Sequence, residues 1–474
     1  MSRGLLIWVL LGIARAGVAG SASQPKLEVR LETHLTSYSS RPGSPFHCVV
    51  ICPFEVSGQI LIPQGSIVYG KVRQALPVRL GLIHERAGLE LTFSEYTTPD
   101  GQTFPLRARL ASIDNAREEV MPNGRIRGVL AAENPDELVS GIWGKPTLRT
   151  FYRPLEGATG LGAEILEKNP IGPVGPAILF GVRCFILRFP EPEIHLPPGT
   201  DMELLVDESS SGFVKQPAAP VPDAPADLVD WLREIPVAVT KVHGEPAADL
   251  INIAFAGSRQ ELLEAFSVSG WYPAERSTFE SLARVYLAFN GKNTYPRAPV
   301  SKLLYEGRPP DLVFEKSFDT VSKRHHVRIW DAGSFEGQEI WLGAATHDVG
   351  IAFNGKRFSL SHRVDPHLDE ERAKVSVDLT FAGCSEPVSY APSERTAPVS
   401  GLGVTDRRIA VVLLQPCTGA MPDSPESAPE PPGTKLSRLA RRVILETRSY
   451  ILRENVYYWA FQMMKRHRTT GPPS

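Results

Sequence analysis

The chain has 474 residues, 42% of them hydrophobic, with 51 Lys and Arg set against 53 Asp and Glu. That length accommodates two or three domains, each large enough to bury its own core. The near-balance of charge offers no general attraction to polyanions and excludes nucleic acid as a partner. The 42 prolines and 39 glycines suit many short strands joined by turns.

Residues 1–22 start with Arg3, continue through the apolar stretch Leu5–Ile13 and reach the small residues Gly17, Ala19, Ser21 and Ala22. This is the order of a secretory signal peptide, and its apolar core is about half the ~20 residues that a membrane-spanning helix requires. The expected location is therefore outside the cytoplasm, in the periplasm or cell envelope. Five cysteines, Cys48, Cys52, Cys184, Cys384 and Cys417, leave at least one without an intrachain partner. Cys48 and Cys52 fall four residues apart in an expected strand, about 13 Å between Cα atoms and too far for a bridge. For Cys384 and Cys417 a bridge and two buried thiols both stand as readings.

Within the first domain, expected over residues 24–212, Leu89, Leu91 and Phe93 alternate with polar neighbours, as do Phe104, Leu106, Ala108 and Leu110. Period two predicts strands with one buried face, and Pro99, Asp100 and Gly101 supply the turn of a hairpin between them. The segments ILIPQGS (60–66) and IHLPPGT (194–200) echo each other as a short strand, a Pro-x-Gly turn and a hydroxyl residue. On LTSYSSRPGSPF, LIPQGSIVYGKV and the hairpin, about residues 35–112 resemble the β-barrel of TrbI-like envelope proteins. The resemblance implies an antiparallel barrel or sandwich and says little about transport.

Two proline-rich stretches, QPAAPVPDAP (216–225) and MPDSPESAPEPPG (421–433), read as linkers; the expected linkers run over 213–234 and 419–434. Between them a central domain is expected over 235–418. Ser258 stands three residues before Glu261, followed by Leu262, Ala265 and Phe266, a capping box on an amphipathic helix that Gly270 stops. Strand-like runs follow at 311–314, 325–330, 339–353, 375–381 and 408–414, and one or two helices on an antiparallel sheet suit this order. The fold class predicted for the whole is mainly β with an α+β second domain. Residues 435–468 contain neither Gly nor Pro and read as one long helix. Docking of this helix on a folded domain competes with contact at a membrane surface.

Chemistry concentrates in the central domain, where His325, His326, His347, His362 and His367, of eleven histidines in all, stand among Asp348, Asp365 and Asp369. Imidazoles and carboxylates together are ligands for a divalent first-row metal, the one cofactor these residues suggest, and His326, His347 and His362 are the candidate ligands. Neighbours on a strand face opposite ways, so at most one of His325 and His326 enters a common site; Arg324, His326, Arg328 and Trp330 share one face. Strand register decides whether His347 or Asp348 meets His326. Asp365 before Pro366 reads as a helix N-cap, with Asp369, Glu370 and Arg372 on a solvated helix face. HExxH, Gly-x-Ser-x-Gly and phosphate-loop motifs are all missing from the sequence, so no site has a motif of specific spacing behind it.

On GEPAADLINIAFAGSRQELLEAFSVSGWYPAE, TYPRAPVSKLLYEGRPPDLVFEK, KRHHVRIW, IWLGAATHDVGIAF, SHRVDPHLDEERAKVSVDL, AGC and TDRRIAV, about residues 235–416 resemble the LssY C-terminal domain, a bacterial module of undefined biochemical role. Its repeated features fall on Arg308, Asp311, His325, His326, Arg328, Trp330, Asp348, His362, Asp365, Asp369, Glu371 and Arg372. Elsewhere the module is joined to membrane segments, which implies an envelope setting. The candidate polar site is thus Arg308, Asp311, His326, Arg328, His347, Asp348, His362, Asp365, Asp369 and Arg372. The leading expectation is an exported binding or scaffold protein with an envelope protein or lipid as partner. Its rival is a metal-dependent hydrolase of the phosphoesterase kind, in which Arg308 and Arg328 hold an anionic substrate.

Overall fold

The computed structural model describes most of residues 25–445; the chief omissions are 81–85, 130–191, 285–294, 394–403 and 420–432, with shorter breaks between. The expected signal peptide, Cys184, most of the second linker and everything past 445 lie outside the described residues.

Six strands form the first domain: β1 (Lys26–Leu31), β2 (Pro45–Val50), β3 (Ile67–Leu76), β4 (Gly88–Thr97), β5 (Thr103–Ile113) and β6 (Asp201–Val206). They pair in the order β3-β2-β1-β6-β5-β4, every pair antiparallel, and β4 returns to β3. The sheet is therefore a closed barrel, which removes the exposed edges a sandwich would keep. Alternation predicts its inside correctly: Leu89, Leu91, Phe93, Leu106 and Leu110 are buried in one core with Leu27, Val29 and Phe46. The hairpin from β4 to β5 closes where Thr98 donates its backbone N–H to Gln102 at 2.9 Å, with Gly101 at φ +88°.

The echoed segments are one turn used twice. Gly65 and Gly199 take φ +79° and +88°, and Ser66 Oγ and Thr200 Oγ1 each donate back to the proline carbonyl at 2.7 Å. Gly65 N–H donates to Val50 at the end of β2, and Gly199 N–H to Leu31 at the end of β1. Each turn launches the strand that pairs with the one it caps, β3 and β6 respectively.

The stretch expected as a linker to 234 is shorter than that. Gln216–Pro217 pairs with Gln59–Ile62 of the barrel domain, and α1 (Ala226–Glu234) buries Leu228 and Leu232 against the second domain. The second domain is built on β7 (Ile253–Ala256), β8 (Tyr272–Pro273), β9 (Leu312–Lys316), β10 (Arg324–Phe335), β11 (Gln338–Asn354), β12 (Ser359–Val364), β13 (Ser389–Pro392) and β14 (Arg408–Leu413). The order is β8-β9-β10-β11-β7-β14-β13, with β12 also on β11. The sheet is mixed rather than purely antiparallel, because β7 and β14 run parallel.

Helix α2 (Arg259–Val268) carries the expected capping box, Ser258 and Glu261 bonding reciprocally to each other's backbone. With α3 (Leu368–Phe381) it covers one face of the sheet, through Leu262, Phe266, Val375 and Leu379. The opposite face packs under α1 and a small sheet of Ala238–Lys241, Ala247–Leu250 and Leu303–Tyr305. Residues 375–381, expected as a strand, are the second half of α3. VSVDLTF alternates locally, but Leu368, Val375 and Leu379 also recur at helical spacing, and the longer period prevails because those three are buried.

A helical stretch over residues 436–445 follows the second linker. Leu445 is buried in the barrel core, and Arg441 donates to the buried carboxylate of Glu193 at 2.5 Å and to the Val78 carbonyl at 3.4 Å. This part of the expected long helix docks on the barrel domain; the remainder lies outside the described residues.

Candidate functional site

Register decides the site. In the β10–β11 pair His325 stands opposite His347, His326 opposite Thr346 and Arg324 opposite Asp348. Consequently His326 and His347 lie on opposite faces of the sheet, and the expected metal triad of His326, His347 and His362 does not assemble around them. His362 stands opposite Ile351 in the β11–β12 pair; its side chain lies outside the described residues.

On the face toward α1, Arg324 donates to Glu315 at 3.0 Å and to Asp348 at 3.4 Å, and Arg328 donates to Asp249 at 3.3 Å and to Ser301 Oγ at 3.1 Å. His326 Nε2 and Thr346 Oγ1 share a hydrogen bond of 2.7 Å, and His326 Nδ1 is 3.7 Å from Asp348. All of these charged groups are buried. Burial pushes the Glu315 carboxyl up to about 8 against the pull of Arg324, and pushes Asp249 up to about 6 against that of Arg328.

On the opposite face the sheet meets α3 and one end of the barrel. His325 is enclosed: Nδ1 donates to Glu371 of α3 at 2.6 Å, and Nε2 donates to both oxygens of Asp114, just beyond β5, at 2.8 and 2.9 Å. Burial alone would lower the pKa of this imidazole, but the two carboxylates outweigh it and raise it to about 10. His347 stacks on His325 with ring centroids 4.5 Å apart and donates from Nε2 to Asn115 at 2.7 Å. Burial and then the neighbouring His325 cation hold His347 below its usual value.

Beside this group, fully buried Asp378 of α3 accepts from Arg30 of β1 at 2.8 Å and Lys374 at 2.9 Å on one oxygen. Its other oxygen accepts from Lys316 at 2.8 Å and the Trp271 indole at 3.0 Å. Arg30 also grips Asp201 of β6 through two bonds of 2.7 and 2.9 Å, and Lys374 reaches Asp201 at 2.6 Å. Burial would raise the carboxyl pKa values of Asp378 and Asp201, yet the surrounding cations drive both well below the usual range. Burial brings Lys316 down to about 8 despite Asp378. Barrel and central domain are thus joined by a buried, alternating set of charges.

The remaining expected site residues are placed apart from both groups. Arg308 donates to the Asp331 carbonyl at 3.1 Å, and Asp311 accepts from the Asp331 N–H at 2.9 Å, at an exposed position on β10. Asp365 is not the N-cap of α3, which is His367; its carboxylate instead accepts the His367 N–H at 2.9 Å. Asp369 accepts from Thr405 and the Asp406 N–H, and Arg372 makes paired bonds of 2.8 and 2.9 Å to Asp406. Arg372 is therefore buried, not on a solvated face, and pins the 405–408 turn to α3.

Sequence reasoning omitted Asp114, Asn115, Arg30 and Asp201, whose partners are as many as 348 positions away in the chain. Glu371, Lys374 and Asp378 did carry a local signal: they recur at helical spacing beside Val375 and Leu379.

Residues 232–406 match the family model described as LssY C-terminus. No curated protein is matched. A solved structure of ComB10 of the Com type IV secretion system of Helicobacter pylori is similar at a TM-score of 0.18 and 11% identity, over 39% of this chain and 85% of that one. A likeness of that size carries no argument about the barrel.

Proposed function

We propose that this protein is an exported scaffold of the bacterial cell envelope that acts by binding an envelope protein or lipid, not by turning over a substrate. The observation that carries the reading is where the reactive side chains go. His325, Lys374 and Asp378 are taken up by Asp114, Asp201 and Arg30 of the barrel, Glu371 is taken up by His325, and Arg324, Arg328 and His326 are enclosed beneath α1 and the small sheet. Charges committed this way hold two domains in one orientation and leave outer surfaces for a partner. The Cys384–Cys417 disulfide suits an oxidising compartment, consistent with export by the N-terminal segment. The docked C-terminal helix exposes Leu436 and Leu439, an apolar edge suited to a membrane surface.

The test has two arms. Cells producing the full chain are treated with a membrane-impermeant crosslinker and fractionated; a reproducible adduct in the envelope fraction is expected. Purified protein, with and without Zn²⁺ or Mn²⁺, is expected to release no product from phosphate mono- and diesters or carboxylic esters. His326→Ala should then alter melting temperature alone. Turnover that disappears in a folded His326→Ala protein would overturn the reading, as would a chain confined to the cytoplasm.

A further inference from the structure

Asp114, His325 and His347 each offer one ligand atom, and these three atoms lie within 4.8 Å of one another. Around a tetrahedral zinc with bonds of about 2.0–2.2 Å, ligand atoms stand roughly 3.3–3.5 Å apart. His325 Nε2 and the Asp114 oxygens, at 2.8 and 2.9 Å, need to part by only about half an ångström to reach that spacing. His347 is directly cross-strand from His325 and its ring is nearly parallel, at 23°, so a small change in side-chain torsion brings it in.

The surroundings resemble those of a metal-bound pair of histidines. A ligating imidazole commonly donates its other N–H to a carboxylate or carbonyl, which sets its orientation and strengthens it as a ligand. His325 does so to Glu371 at 2.6 Å, and His347 donates from Nε2 to the side-chain carbonyl of Asn115 at 2.7 Å. Two buried polar atoms at the same place, Glu371 Oε1 and Asn115 Nδ2, have no hydrogen-bond partner among the described residues. Asp114 and His347 are only partly buried and place this side of the cluster toward solvent.

We propose that Asp114, His325 and His347 form a divalent transition-metal site, zinc-like in its preferences, that clamps the barrel to the central domain. Asp114 comes from one domain and both histidines from the other, so the metal bridges them. On binding, the metal takes the place of the hydrogen on His325 Nε2 and that proton leaves to solvent. The mixed nitrogen and oxygen set favours Zn²⁺ or Co²⁺ over Mg²⁺ or Ca²⁺, which prefer oxygen alone. The site is independent of whether the protein binds or turns over a partner.

The full chain is stripped with EDTA, exchanged into metal-free buffer and titrated with ZnCl₂ by calorimetry, and with Co²⁺ by visible absorption. About one equivalent should bind, raise the melting temperature and, for Co²⁺, give the intense bands of a four-coordinate site. His347→Ala and Asp114→Asn should each weaken binding at least about tenfold, the order seen even for supporting residues of such sites. His347→Ala should also keep the metal-free melting temperature within a few degrees of the parent's. Should His347→Ala fail to fold, Asp114→Asn serves alone, since its side chain is isosteric. Absence of zinc binding in the parent chain, or affinity unchanged in the folded variants, would overturn the site and leave Asp114, His325 and Glu371 as a plain ion triad.

Discussion

Glu315 illustrates how burial, with the Asp348 carboxylate beside it, changes a residue's charge. Its carboxyl is fully enclosed beside Arg324 at 3.0 Å, yet it is pushed up to about 8 while in the unfolded chain it returns to about 4.3. Between these values the folded protein holds a proton the unfolded chain has lost, so stability falls as pH rises through that window. The contribution is fully present below the unfolded value and gone above pH 8. Glu315→Gln lacks that proton, so its urea stability relative to the parent should improve from pH 5 to pH 8; a parallel pair of profiles would show Glu315 ionised throughout. Asp378 is the opposite case, with Arg30, Lys316, Lys374 and Trp271 as donors that keep it charged. Breaking such a buried pair from one side typically costs about 3–5 kcal/mol, because the remaining charges stay out of water.

Elements are held together where backbones approach closely. Gly343 of β11 stands opposite Ile253 of β7, and a Cβ there would come within 2.6 Å of Ile253 Cγ2 and 3.1 Å of the Phe255 ring. Both neighbours belong to the core under α2 and α3. Gly343→Ala should therefore destabilise the central domain by about 1–3 kcal/mol, the range for overpacking a filled core, measurable as a lower urea midpoint. A midpoint unchanged within error would mean that β7 shifts freely. α3 shows the same competition at the level of period. Its second half alternates like a strand, but burial of Leu368, Val375 and Leu379 selects the helix, and the helix then aims Glu371, Lys374 and Asp378 at the barrel.

For the whole molecule the barrel and the central domain should unfold as one unit, because Arg30, Asp114 and Asp201 share a buried network with Lys374, Asp378 and His325. Circular dichroism, dominated by both sheets, and tryptophan fluorescence should give coincident urea transitions; of the seven tryptophans, Trp143 and Trp459 are replaced by Phe so that emission is dominated by Trp271, Trp330 and Trp341 of the central domain. In the Arg30→Ala, Lys374→Ala double variant the two probes should separate, with a first transition at lower urea. Coincident transitions in the variant would place the coupling elsewhere than in this network.

The sequence by itself determined the short-range features. Alternation set the inside of the barrel at Leu89, Leu91 and Phe93, Pro99–Gly101 set the hairpin, the Pro-x-Gly echo set two equivalent turns, and Ser258 with Glu261 set the start of α2. Each depends on contacts within a few residues, where side-chain chemistry and backbone geometry act directly. It also located the polar region of the central domain and the two faces of β10. Only the tertiary structure decided which histidine meets which carboxylate, because a one-residue change of register exchanges the faces of a strand. Pairing His325 with His347 rather than His326 with His347, and bringing Asp114 from another domain to complete the group, follows from sheet register and domain packing. Both are summed over contacts far apart in the chain, and no local pattern encodes them.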